Sequence, residues 1–253
     1  MTNEILVLYP HGLGDCILLT PALREYHEST GVRAHVATLE RFSSAEFFTN
    51  NPHVDRIFYT KDAWHDYANH NVGFRSLKKE WSSFSEKENL GDCIMPMHSS
   101  AASKIKINLS AFSLKNCTDY STEVHTSPDD VARAEEIIND SVGGKPFGFV
   151  QTHTGVPSKD LPKDFGRGFL KDNGLSSVIE IGKELDGLQE NINVQFEILR
   201  RATAVCVPDS VFYHACHAMN KRVDFAYFAR GEGVYNRVRP LHDVEENIVY
   251  KVS

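Results

Sequence analysis

Short unbroken apolar runs recur along the chain, and most are followed by a segment of helical spacing. The run at 4–9, EILVLY, is continuous rather than alternating, as expected of a strand buried on both faces of a parallel sheet. PHGLGD then turns. CILLTPALREYHEST carries apolar residues at helical intervals up to Gly31, and Pro21 within it predicts a kink or a late start. RAHVATL reads as a second strand, FSSAEFFTNN as a second helix and VDRIFYT as a third strand. In the polar and aromatic stretch 61–90, FRSLKKEWSSFSEKE has helical spacing. CIMPMH (93–98) reads as the next buried strand, ahead of the small-residue stretch SSAAS, and residues 108–127 are weakly patterned.

The alternation restarts near Ser127. SPDDVARAEEIINDSVGG has a cap at Ser127 or Asp129, an early proline, acidic residues in its first turn and a stop at Gly143-Gly144. PFGFVQTH reads as a strand, GVPSKDLPKDFGRGF as a loop running into a helix, and SSVIEIG as a strand. NVQFEILRRAT is a helix, AVCVPD a strand, SVFYHACHAMN a helix and RVDFAYFA the last strand. This order predicts an α/β fold of two Rossmann-like doubly wound domains facing a central cleft, split near residue 125. Phe47, Phe48, Phe58 and Phe228 fall inside predicted elements and read as core.

The 253 residues suffice for two such cores. A net charge of −7 argues against a general nucleic-acid coat. No window approaches a membrane-spanning length, and Glu4 stands where a signal peptide would be basic, so the expectation is a cytoplasmic protein, with attachment to a membrane face left open. The five cysteines are scattered without a CxxC pair and read as reduced. His214, Cys216 and His217 are the nearest approach to a metal set, but on a helix only the two histidines share a face, so no metal site is expected.

Ligands of doubly wound sheets bind beyond the carboxyl ends of the strands, which draws attention to three stretches. Gly12-Leu13-Gly14-Asp15 follows the first strand, Thr152-His153-Thr154 and the lysine-bearing loop follow the strand opening the second half, and Asp209-Ser210-Val211 follows AVCV. The first is neither GxGxxG nor a Walker lysine loop, which disfavours a nicotinamide dehydrogenase or a P-loop nucleotidase. Asp15 is either a helix cap or a general base. The helix-start amides after Ser210 suit a phosphate, and His214 shares a helix face with Ser210.

Together, GLGDCILLTPALREY, HTGVPSKDLP and PDSVFYHACHAMNKRV resemble the ADP-heptose heptosyltransferase family of GT-B glycosyltransferases. The third stretch is similar to that family's D-[ST]-G-x-x-H-x-A-A-A element. Val211 replaces its glycine, Leu161 stands where tryptophan is usual, and the chain is shorter than typical members, a small version of the fold. The resemblance implies an acceptor-side domain over 1–125 and a nucleotide-sugar domain over 126–253. It implies Asp15 as the base and Lys159, with Lys163 as fallback, as the cation for the departing diphosphate. Thr152, His153, Thr154, Glu180, Gly182, Asp209, Ser210, Val211 and His214 would meet the donor, and Gly12, Gly14, His98, Ser99 and Ser100 the acceptor. The expected reaction is a metal-independent, inverting transfer without a cofactor, from a nucleotide-diphosphate sugar to the hydroxyl of a saccharide, lipid-linked saccharide, protein or modified nucleic acid. Two other readings stand beside it: a two-Rossmann sugar-nucleotide epimerase, and a degenerate nucleotide-binding protein without turnover.

Overall fold

The computed structural model describes residues 4–62, 70–97, 102–114, 116–154, 157–162, 164–181, 190–241 and 246–250. The chain divides into two compact units, Met1–Tyr120 and Ser121–Ser253. Each is a parallel β-sheet flanked by helices, consistent with a two-Rossmann-domain GT-B fold.

In the first unit, β1 (Ile5–Tyr9), β2 (Ala34–Leu39), β3 (Val54–Thr60) and β4 (Asp92–Ile94) form a parallel sheet in the order β3-β2-β1-β4. Every residue of β1 and β2 is buried, which is why those segments read as continuous apolar runs. Successive side chains of a strand point to opposite faces. Leu6 and Leu8 pack with Phe74 and Leu77 of α2 (His70–Glu88), while the Tyr9 side chain meets α1 (Leu13–Thr30) and α3 (Lys104–Ala111) on the other face.

α1 runs unbroken through Pro21. A proline there cannot donate to the carbonyl of Ile17, and the neighbouring Thr20 hydroxyl donates to that oxygen instead, at 2.8 Å. The helix therefore starts at Leu13 and needs neither a late start nor a break. It stops at Gly31, whose φ of 72° is the left-handed cap conformation.

Two expectations fail in this unit. FSSAEFFTNN is not an α-helix: the chain makes a 3-10 helix over Glu40–Ala45 and then turns. Glu46 adopts a left-handed φ of 53°, and Phe47 and Phe48 are both buried with their rings 4.7 Å apart. The left-handed turn at Glu46 ends any helix there and delivers both phenylalanines into the core. CIMPMH forms only the three-residue β4 before leaving the sheet, and α3 arises from a stretch with no strong pattern.

The second unit begins with α4 (Pro128–Val142), capped reciprocally by Ser127 and Asp130. Its sheet holds β5 (Phe147–Gln151), β6 (Ser177–Ile181), β7 (Ala204–Pro208), β8 (Val223–Phe228) and β9 (Glu246–Tyr250), in the parallel order β6-β5-β7-β8-β9. α5 (Phe165–Asp172) covers one face through Leu170, against Val150, Cys206 and Phe225. α6 (Ile192–Arg201) and α7 (Val211–Ala218) cover the other, where Phe212 packs on Phe149 and Phe196. A Cβ at Gly166 would sit 2.5 Å from Val150 Cγ1, so α5 approaches β5 closely only because that residue is glycine.

RVDFAYFA, expected as the last strand, is not the last. α8 (Glu232–Val238) and the edge strand β9 follow it. Glu246 at the start of β9 accepts from Tyr213 of α7 at 2.9 Å and from Tyr235 of α8 at 2.6 Å, with His217 Nε2 at 3.2 Å. Side-chain bonds to two helices thus add to the pairing with β8 in holding this edge strand. Among the described residues no helix is long and apolar enough to cross a membrane.

Candidate functional site

Both sheets reverse their strand order at one point: between β1 and β4 in the first unit, and between β5 and β7 in the second. Such switch points open a crevice beyond the carboxyl ends of the strands.

In the first unit the chain leaves β1 through Pro10, His11 and Gly12. Gly12 is the N-cap of α1 and offers no side chain to it, and Gly14 and Asp15 lie in the first turn. Asp15 therefore does not cap, although its charge complements the helix N-terminus. Its carboxylate forms an ion pair with Lys104, the first residue of α3, and both side chains are 19% exposed. Tyr9 donates to the Asp15 carbonyl at 3.0 Å and accepts from Asn108 Nδ2 at 3.2 Å, while Asn108 also donates to Leu18 O at 2.8 Å. His11 is buried with Nε2 3.2 Å from Pro96 O beyond β4. Burial lowers its pKa, outweighing the opposite pull of the Asp15 charge.

In the second unit, Thr152, His153 and Thr154 follow β5 directly. Asp160 organises them: it accepts from the Thr154 amide at 2.7 Å and from its hydroxyl at 3.1 Å, and lies 3.1 Å from His153 Nδ1. Burial works to raise the Asp160 pKa, but the bonds from His153 and Thr154 bring it below the usual carboxylate value. Leu161 N donates to Thr152 O at 3.0 Å, which closes the loop over the end of β5. Lys159, in a single 3-10 turn (Pro157–Lys159), reaches Asp209 at the end of β7. Its Nζ is 2.7 Å from Asp209 Oδ2 and donates to the Asp209 carbonyl at 3.2 Å. Ser210 is the N-cap of α7 and accepts from Phe212 N at 3.3 Å. Val211 opens the helix, and His214 one turn on is buried.

Lys159 and Asp209 are thus brought together from positions fifty residues apart, with the Thr152–Thr154 segment on the adjoining strand end. Glu180 stands apart near the end of β6, paired with Arg167 of α5. His98, Ser99, Ser100, Lys163 and Gly182 lie outside the described residues. Lys104 and Asp160 are the charged residues that sequence reasoning missed. Asp160 was within reach, being adjacent to Lys159, whereas Lys104 lies 89 residues from Asp15 in the locally basic SKIKIN, whose charge reads from sequence as a solvated face.

Within the second unit His125 Nε2 lies 3.0 Å from Glu123 Oε2, and both residues are half-buried candidate metal ligands. An imidazole and a carboxylate are donors suited to zinc or ferrous iron. The expectation of no metal and no cofactor is corrected on this observation. Glu123 and His125 stand two residues apart in the weakly patterned stretch 108–127, where no strand end or helix face drew attention to them.

No protein-family model matches the chain, and no curated protein does. Solved structures do. A glycosyl transferase of family 9 from Veillonella parvula superposes with a TM-score of 0.65 at 11% identity, covering 99% of this chain and 88% of that one. ADP-heptose LPS heptosyltransferase II from E. coli gives 0.69 at 11% identity, covering 97% and 90%. The iron-containing dodecameric glycosyltransferase TibC from enterotoxigenic E. coli gives 0.55 at 11% identity, covering 88% and 57%. These likenesses establish the architecture of the chain, the two-Rossmann α/β fold of GT-B glycosyltransferases.

Proposed function

We propose that this protein is a glycosyltransferase that takes a sugar from a nucleotide-diphosphate donor and places it on an acceptor hydroxyl. The observation that carries the reading is the set of groups at the switch point of the second sheet. Lys159, the Thr152–Thr154 segment and the capped N-terminus of α7 together offer a cation, hydroxyls and helix-start amides. That is the chemistry a diphosphate needs. The fold supports it, because the similar structures named above are glycosyltransferases.

In this reading Asp15 accepts the proton of the acceptor hydroxyl as its oxygen attacks the anomeric carbon. The bond from that carbon to the diphosphate breaks, and Lys159 with the α7 amides takes up the charge developing on the leaving oxygen. The carboxylate already engaged by Lys159 would have to yield it in part to the diphosphate. Asp209 then becomes a hydroxyl acceptor beside the sugar. A cation held in part by Glu123 and His125 would supply a structural charge or a Lewis acid, and no step above runs through it. An acceptor at a membrane face would fit the reading as well as one in the cytoplasm.

The test is a thermal-shift panel of nucleotide sugars and free nucleoside diphosphates. Stabilisation by none of them removes the reading. If one binds, Asp15→Asn should retain that binding and lose turnover. A second reading, a nucleotide-binding protein without turnover, draws on the internal pairing of both key charges, Asp15 by Lys104 and Lys159 by Asp209. It predicts binding with no sugar consumed by the parent protein.

A further inference from the structure

We propose that Lys104 is a positioning residue that holds the Asp15 carboxylate ionised and aimed, an inference that rests on Asp15 being the base. Lys104 occupies the first turn of α3, the end of a helix where a cation is electrostatically disfavoured. No acidic residue of α3 stands in that turn to compensate. The compensating charge comes from α1, through the ion pair with Asp15. With both side chains four-fifths covered, this pair is shielded from solvent far more than a surface pair, and its geometry is correspondingly constrained.

The placement of Lys104 is itself built into the fold. Asn108 lies four residues further along α3 and so on the same face. It is fully buried, donates to Leu18 O of α1 and to the Tyr9 hydroxyl, and Tyr9 in turn donates to the carbonyl of Asp15. α3 is therefore fastened to α1 one turn beyond the ion pair, which fixes where the ammonium group can reach. Among the described residues, the titratable groups facing Asp15 are Tyr9 and His11 from the end of β1, Cys16 beside it on α1, and Lys104 from α3. Burial raises the tyrosine and the thiol, the latter to about 12, and lowers the histidine, so at neutral pH those three are uncharged. Lys104 supplies a positive charge at Asp15.

An adjacent cation favours the ionised form of a carboxylate, and its removal lets a proton return at higher pH. The experiment compares the parent, Lys104→Met and Lys104→Arg in two measurements: the pH dependence of kcat for transfer from whichever nucleotide sugar the parent uses, and the carbon-13 NMR titration of the Asp15 carboxyl group. The expected result for Lys104→Met is an acid limb of kcat displaced to higher pH and a fall in kcat on the order of ten- to a hundredfold, from loss of aim. KM for the donor should be unchanged, the NMR titration should move in the same direction, and Lys104→Arg should restore both. An acid limb and a carboxyl titration that stay where the parent has them overturn the proposal. Should Lys104→Met not fold, Lys104→Gln removes the charge with less apolar intrusion and is read against the same outcomes. A parent that consumes no nucleotide sugar sinks the functional reading alone, because the NMR titration still decides whether Lys104 governs Asp15.

Discussion

Removing either partner of the Lys159–Asp209 pair should cost stability unequally, and the direction follows from burial. The Asp209 side chain is 5% exposed and that of Lys159 is 21% exposed. In Lys159→Met the carboxylate stays behind, covered and without its counter-charge. Breaking a buried pair in this way costs about 3 kcal/mol. In Asp209→Asn the lysine can swing its ammonium group into water, and it retains the Asp209 carbonyl as an acceptor. That loss should be about 1 kcal/mol, nearer the surface-pair range. At this chain length 1 kcal/mol moves Tm by about 2–4 °C, so the two variants should fall by about 6–12 °C and about 2–4 °C respectively. The assay is thermal unfolding by circular dichroism at pH 7 in low salt, with urea melts giving the free energies. Equal losses, or a larger loss in Asp209→Asn, would refute the reasoning that the aspartate is the desolvated partner.

Three further predictions come from different parts of the molecule. Gly166→Ala should destabilise by about 1–3 kcal/mol through overpacking against Val150, whereas Gly168→Ala, two residues on and with open space at its Cβ, should stabilise by about 0.5–1 kcal/mol; urea melts of opposite sign are expected, and shifts of the same sign would contradict the close α5–β5 approach. Burial works to raise the carboxyl pKa of Glu246 and Glu197, but bonds from His217 and Tyr235 to the first, and from Thr126 and Arg201 to the second, leave both lowered. A lowered folded pKa gives stability that is present above the unfolded value of about 4.3 and lost as pH falls through the folded one, so Glu246→Gln should flatten the fall in Tm below about pH 4.3, and an unchanged acid limb would count against that network. Cys16, Cys206 and Cys216 have thiols pushed by burial to about 12, so a thiol reagent at pH 8 should reach them only after denaturation; prompt labelling of all five cysteines in the native protein would contradict the packing.

The fold was legible where burial is symmetrical and local. β1, β2, β5 and β7 are buried at every position, so their apolar runs carry the strand signal without help from distant residues. Ser127 and Asp130 signal the start of α4 by a local pair of bonds, and that start could be read directly. Elements held by distant partners could not be. β9 depends on Glu246 reaching Tyr213 and Tyr235, and α3 on Asn108 reaching Tyr9 and Leu18. The turn at Glu46 and the burial of Phe47 and Phe48 that follows it are tertiary placements that the local spacing of FSSAEFF does not show.

The same division runs through the candidate site. Asp15, Lys159 and Ser210 stand in the segments that follow strands, and a strand followed by glycine, hydroxyl or charge is visible in sequence. Their pairings are not, even though Asp209 itself could be read as a strand-end residue. Lys104 and Asp209 come from 89 and 50 residues away, and they turn two apparently free charges into paired ones. That changes what each must do in a reaction, because a ligand now has to compete with a neighbour already in place.

The most direct test of the account is isothermal titration of ADP, GDP and UDP into the parent protein and into Lys159→Gln. The account predicts saturable binding of at least one nucleoside diphosphate, weakened at least about tenfold in the variant, as the loss of a charge-assisted phosphate contact requires. No binding of any diphosphate, or binding of equal affinity in parent and variant, would contradict it.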